Sequence, residues 1–99
     1  MGMRSRIRLD LISNGTVTGN AFIWRGGRGH FAAAGTFGGS TVKLQFLGPD
    51  GSTWIDAGTY TTLTSSGGGN FDLPECQIRA SISGGSPSGI FAVAVGVDL

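Results

Sequence analysis

The chain has 99 residues, of which 19 are glycine, and seven basic against six acidic side chains leave a net charge of +1. With 39% hydrophobic and 13% charged residues it is not a solvated disordered chain, and its glycines follow no three-residue collagen period. One cysteine and one histidine exclude a disulfide framework and the legible multi-His or Cys/His metal sites, and no apolar run approaches the roughly 20 residues of a membrane span.

In chain order the dominant period is two, the signature of half-buried strands. Ile7, Leu9 and Leu11 alternate with Arg6, Arg8 and Asp10, and Asn14-Gly15 then offers a turn. Short strands are expected over 21–24 and 30–37, separated by a tight turn through Gly26, Gly27 and Gly29. Val42, Leu44 and Phe46 alternate with Thr41, Lys43 and Gln45. Gly48-Pro49-Asp50-Gly51-Ser52 then joins that strand to one at 53–56, the clearest hairpin in the chain. Residues 60–63 form a weaker strand, and Gly67-Gly68-Gly69-Asn70 reads as a turn. Ile78, Ala80 and Ile82 alternate with Gln77, Arg79 and Ser81, and Gly84-Gly85-Ser86-Pro87 is the next turn. In the last strand Phe91, Val93, Val95 and Val97 share one face and Ile90, Ala92, Ala94 and Gly96 the other.

No window shows a convincing 3.6-residue period, so almost no helix is expected. Six to eight short strands predict an all-β fold, a small antiparallel β-sandwich or jelly-roll-like domain over 15–99. Its expected core is Trp24, Phe31, Phe37, Leu44, Phe46, Ile78, Ile82, Phe91, Val93 and Val95. A domain of this length buries only roughly 60–65% of the surface its unfolded chain exposes. A thin core of that kind predicts association with copies or partners.

Charge divides the chain unevenly. Residues 1–30 hold five arginines and one aspartate, a net +4, and residues 31–99 hold two bases and five acids, a net −3. Two readings of 1–14 follow: a basic arm whose Arg4, Arg6 and Arg8 dock on a neighbouring molecule, or an edge strand with solvated arginines.

The chemistry-bearing residues point away from catalysis. His30 has no acidic residue closer in sequence than Asp50 and no nucleophile elbow beside it, so a strand histidine is a simpler reading than a general base. Cys76 has no basic neighbour before Arg79 and reads as a packing residue. Asp50, Asp56, Asp72 and Glu75 lie near turns, where acids usually cap or solvate. The run Gly26-Gly27-Arg28-Gly29 lacks the Gly-Lys-Ser/Thr and following helix of a phosphate loop. Arg25 and Arg28 beside Trp24 resemble a single-strand nucleic-acid groove in kind, but +1 is a weak balance for that role, so no nucleic-acid partner is expected. Trp54, just after the hairpin turn, and Tyr60 are candidates for a sugar-binding platform, against the simpler reading that tryptophan fills a core short of bulky side chains. Arg25, Arg28, Trp54 and Tyr60 are the candidate surface contacts.

Several stretches carry a family resemblance: Trp24-Arg25-Gly26-Gly27-Arg28-Gly29-His30-Phe31, Gly35-Thr36-Phe37-Gly38-Gly39-Ser40 and Gly48-Pro49-Asp50-Gly51-Ser52-Thr53-Trp54. Gly68-Gly69-Asn70-Phe71-Asp72-Leu73-Pro74 and Ser86-Pro87-Ser88-Gly89-Ile90-Phe91-Ala92 continue it. Over roughly residues 22–95 this pattern resembles small glycine-rich virion proteins of tailed bacteriophages, most like capsid decoration (cement) proteins. The resemblance implies a non-enzymatic protein made in the host bacterial cytoplasm and placed on the capsid exterior. Its implied partners are the major capsid protein and further copies of itself, a trimer by analogy with a shell's local three-fold positions. No catalytic residue, cofactor, metal or membrane comes with the resemblance. The alternative is a head-fibre or tail appendage that recognises host-surface glycan through Trp54 and Tyr60.

Overall fold

The computed structural model describes residues 8–96. Nine strands make two antiparallel sheets, with no α-helix among the described residues. In chain order they are β1 (Arg8–Gly15), β2 (Phe22–Trp24), β3 (Gly27–Thr36), β4 (Thr41–Leu47), β5 (Trp54–Asp56), β6 (Thr62–Leu63), β7 (Gly67–Leu73), β8 (Cys76–Ser83) and β9 (Ser88–Gly96). Sheet 1 has the order β1-β9-β3-β7, and sheet 2 the order β2-β8-β4-β5, with β6 also paired to β4. β5 and β6 meet β4 at different positions, Gln45 to Leu47 and Val42 to Lys43, so together they act as one broken edge strand. Counted that way, two four-stranded sheets joined by connections that cross repeatedly between them make a jelly roll.

Inward-facing residues from both sheets fill the space between. Phe31 and Ala33 of β3 and Ile90, Ala92 and Ala94 of β9 face Val42 and Leu44 of β4 and Ile78 and Ala80 of β8, all buried. Phe46 and Ile82, expected in this core, are partly buried and pack against it. Trp24 closes one end of the layer, its ring tilted 57° against Phe71 with centroids 4.9 Å apart.

The last strand corrects an expectation. Phe91, Val93 and Val95 do not build the core: Phe91 is 49% exposed, and Ile90, Ala92 and Ala94 point inward instead. Phe31 stands opposite Ala94 in the β3–β9 register, so the large side chain of one strand fills the space left by the small one of its neighbour.

β7 corrects a second. Gly67, Gly68 and Gly69 are not a turn but pair along β3 opposite Ala33, Ala32 and Phe31. The weaker strand near 60 starts later than expected, because Thr59–Thr61 form a single 3₁₀ turn before β6. The hairpin between β4 and β5 is present, closed by Gly48 N–H donating to Thr53 O at 2.7 Å and by Gly51, in the left-handed region at φ 77°, donating to Gly48 O at 3.0 Å.

Residues 8–14 are already part of the sandwich. β1 pairs with β9 from Arg8 opposite Val95 to Gly15 opposite Ile90, and an irregularity between Asp10 and Ile12 lets the adjacent Leu11 and Ile12 both bury. This part of the chain takes the edge-strand form, since removing two large aliphatic side chains from water favours keeping it on the sheet. Arg4 and Arg6 lie outside the described residues.

Candidate functional site

Two of the acidic residues, Asp50 and Asp56, are held in separate hydrogen-bond systems, each with a structural task. The Asp50 carboxylate accepts hydrogen bonds from Ser52 N–H at 3.0 Å, from Thr53 N–H at 2.9 Å and from the Thr53 hydroxyl. These donors, the hydroxyl first, favour the ionised form and lower its pKa to about 2. Asp56 accepts from Gln45 Nε2 at 2.9 Å and Lys43 Nζ at 3.2 Å, and these bonds also lower its pKa. A general acid needs the opposite displacement. The Cys76 thiol is pushed up by burial, which disfavours the nucleophilic thiolate. Among the described residues no group of three or more His, Cys, Asp or Glu side chains is placed to hold a metal ion, and no helix is long and apolar enough to cross a membrane.

The exposed face of sheet 2 carries a polar chain across three strands. It runs Lys43–Asp56–Gln45–Arg79, from β4 to β5, back to β4 and on to β8, with Arg79 Nε donating to Gln45 Oε1 at 2.9 Å. The Arg79 guanidinium then lies over the Trp54 ring, 4.4 Å from its centroid. Trp54 is therefore neither a core residue nor an open platform: it is half-buried, and one face of its ring is occupied by a cation. Tyr60 stands apart on the 3₁₀ turn, 81% exposed, with its backbone against Gly69 of β7. Trp54 is held on β5 beside Arg79 of sheet 2, whereas the Tyr60 backbone is held against β7 of sheet 1, so different elements position the two rings.

The arginines are dispersed. Arg25 is exposed in the connection from β2 to β3, and Arg28 is exposed on β3 opposite Asp72. Arg8 pairs with Asp10 at 3.1 Å on the β1 edge, an exposed ion pair of little energetic weight. His30 is also exposed, its Nδ1 2.7 Å from Asn70 Oδ1 across β3 and β7. The ring spreads over Gly68, where a Cβ would stand 2.6 Å from Nε2.

These last residues frame a face that includes Phe91, Val93 and Val95, three residues expected in the core. Val93 and Val95 of β9, Phe91 beside them, and Ala32 and Ala34 of β3 form an apolar stripe along the outer face of sheet 1. Arg8 and Asp10 flank it on β1, and His30, Asn70, Arg28 and Asp72 on β3 and β7. The alternation alone contained the signal: β9 is apolar on both faces, and one of the two has to be the outside.

No protein-family model matches the chain, and no curated protein matches it in sequence. In fold it is similar to the SPBc2 prophage-derived protein YomS, known from a crystal structure, with a TM-score of 0.66 over 97% of each chain at 11% sequence identity. At that identity the likeness is one of fold.

Proposed function

We propose that this protein is a non-enzymatic structural component of a tailed-bacteriophage particle, a decoration protein that binds the outer head shell as a homo-oligomer with the major capsid protein as its partner. The observation that carries this reading is the fold likeness to a prophage-derived protein over 97% of each chain. The jelly roll serves both capsid and lectin domains, so fold alone does not separate the two. The surface favours the structural role: it presents an apolar sheet face, suited to burial against another protein. Repetition on a symmetric shell would make even modest contacts strong through avidity.

The test is the number of copies in purified particles of the encoding phage, together with the heat and osmotic resistance of particles lacking the protein. Hundreds of copies and a loss of resistance are expected. A dozen copies or fewer, or resistance unchanged with host adsorption lowered, would favour the appendage reading, to which the exposed Tyr60 ring would contribute.

A further inference from the structure

The outer face of sheet 1 has a relief as well as a composition. Ala32, Ala33, Ala34, Phe91 and Val93 line an open depression of about 170 Å³ whose exposed lining is entirely apolar. That volume is close to the ~150 Å³ of an enclosed apolar cavity that takes up benzene, so the hollow, although open on one side, matches a phenyl ring in bulk. A phenyl ring stands at its rim: Phe91, opposite Ala34 in the register, leaves half its surface in water. Knob and hole therefore lie side by side on one face. An isologous two-fold contact requires that arrangement, because the same patch must supply both halves of the fit.

The surroundings permit a second copy. Arg8 and Arg28 are balanced by Asp10 and Asp72 around the stripe, so two such faces meet without net repulsion. The four-stranded face is about 19 Å wide and, over seven residues, about 24 Å long. Two faces of that size cover roughly 900 Å² in projection and reach the ~1,200 Å² of a small specific interface once side-chain relief is counted. The remaining apolar surface is less suited: the depression beside Ile23, Leu47 and Pro49 is larger, about 420 Å³, but Glu75 and Gln77 make its lining partly polar, and Val17, Ile55 and Tyr60 are exposed on other segments.

We propose that the outer face of sheet 1 is a self-association surface on which two copies of this chain pack about a two-fold axis, the Phe91 ring of each filling the Ala32–Ala34–Val93 depression of the other. The two rings then meet near the axis, each walled by the partner's, in an aromatic pair with offset or edge-to-face freedom. This pairing rests on the geometry of the face and not on the virion reading. It is two-fold, unlike the trimer implied by family resemblance.

Sedimentation equilibrium of the full chain tests it. The wild-type protein is expected at twice the chain mass, and Phe91→Asp at the single mass, with a dissociation constant about 100-fold weaker because the substitution strikes the interface twice. Ala34→Glu, which fills the depression from an exposed position, is expected to do the same. Both variants should keep the wild-type circular dichroism, and Tyr60→Asp, an equally exposed aromatic elsewhere, should remain dimeric. A wild-type monomer at every concentration, a trimer, or a dimer that survives both Phe91→Asp and Ala34→Glu overturns the proposal. None of these outcomes alters the copy number per particle, so the two readings fail separately.

Discussion

Alanine at Gly29 and alanine at Gly67 should move stability in opposite directions, although both glycines lie on paired strands of sheet 1. Gly29 sits in β3 with an extended backbone that alanine adopts without strain; the obstacle is space. A Cβ there would stand 2.6 Å from Phe71 Cζ and 2.7 and 2.9 Å from two ring carbons of Trp24. Neither ring can swing clear, since Trp24 is 1% and Phe71 7% exposed and the two already pack against each other. Overpacking of this kind costs about 1–3 kcal/mol. For a domain of this size that lowers the melting temperature by roughly 5–20 °C. At Gly67 the added methyl would meet only Ser65 O at 3.8 Å and Leu63 Cδ2 at 3.9 Å, ordinary contacts. Alanine there removes freedom from the unfolded chain and should stabilise by about 0.4–1 kcal/mol. Thermal melts followed by circular dichroism decide both. A Gly29→Ala protein melting at or above the wild-type temperature would show that the Trp24–Phe71 end of the core is slack, and the packing argument would fall.

Two further outcomes follow from the polar networks. The Asp50 pKa is lowered to about 2, below the ~3.9 of an unfolded aspartate, so its stabilising effect is fully present above about pH 4 and is lost as pH falls toward 2. Denaturant midpoints between about pH 5 and pH 2 should fall less steeply in Asp50→Asn than in wild type, and identical slopes would refute the assignment. Arg79→Lys should cost about 1 kcal/mol, because lysine replaces neither the Nε–H bond to Gln45 nor the flat cover on Trp54. Trp54 fluorescence should shift in that variant, and an unchanged spectrum would separate the ring from the guanidinium.

The strands that were legible in the sequence are those where bulky and polar residues alternate, as in β4 and β8, and where a turn has its own chemistry, as in Gly48-Pro49-Asp50-Gly51. β7 was not legible, because three consecutive glycines ordinarily mark a turn. Their reason lies across the sheet: the His30 ring needs the room above Gly68, and the Tyr60 backbone lies where a side chain on Gly69 would be. Periodicity also located β9 without orienting it. Bulk suggested that Phe91, Val93 and Val95 point inward, but the space between the sheets was already filled by Phe31, Leu44 and Ile78, leaving room for alanines. The candidate surface is hidden in the sequence for the same reason, since Phe91, Val93 and Val95 are expected in the core. Trp54 shows a different limit: its partner Arg79 is 25 residues away on β8, a pairing no local pattern reveals.

The pairing of β1 with β9 also constrains how the chain is made. Ile12 lies opposite Ala92, 80 residues later. At roughly 5–20 residues per second, translation leaves β1 without its partner for about 4–16 s. During that interval Leu11 and Ile12, buried in the finished sheet, have only solvent, chaperones or other nascent chains for company. Sheet 1 can pair β3 with β7 earlier but is completed only after β9 has left the ribosome, and until then β1 is a strand with an apolar face and an unsatisfied edge. Yield in a cell should depend on holdase capacity during synthesis more than on the melting temperature of the finished protein.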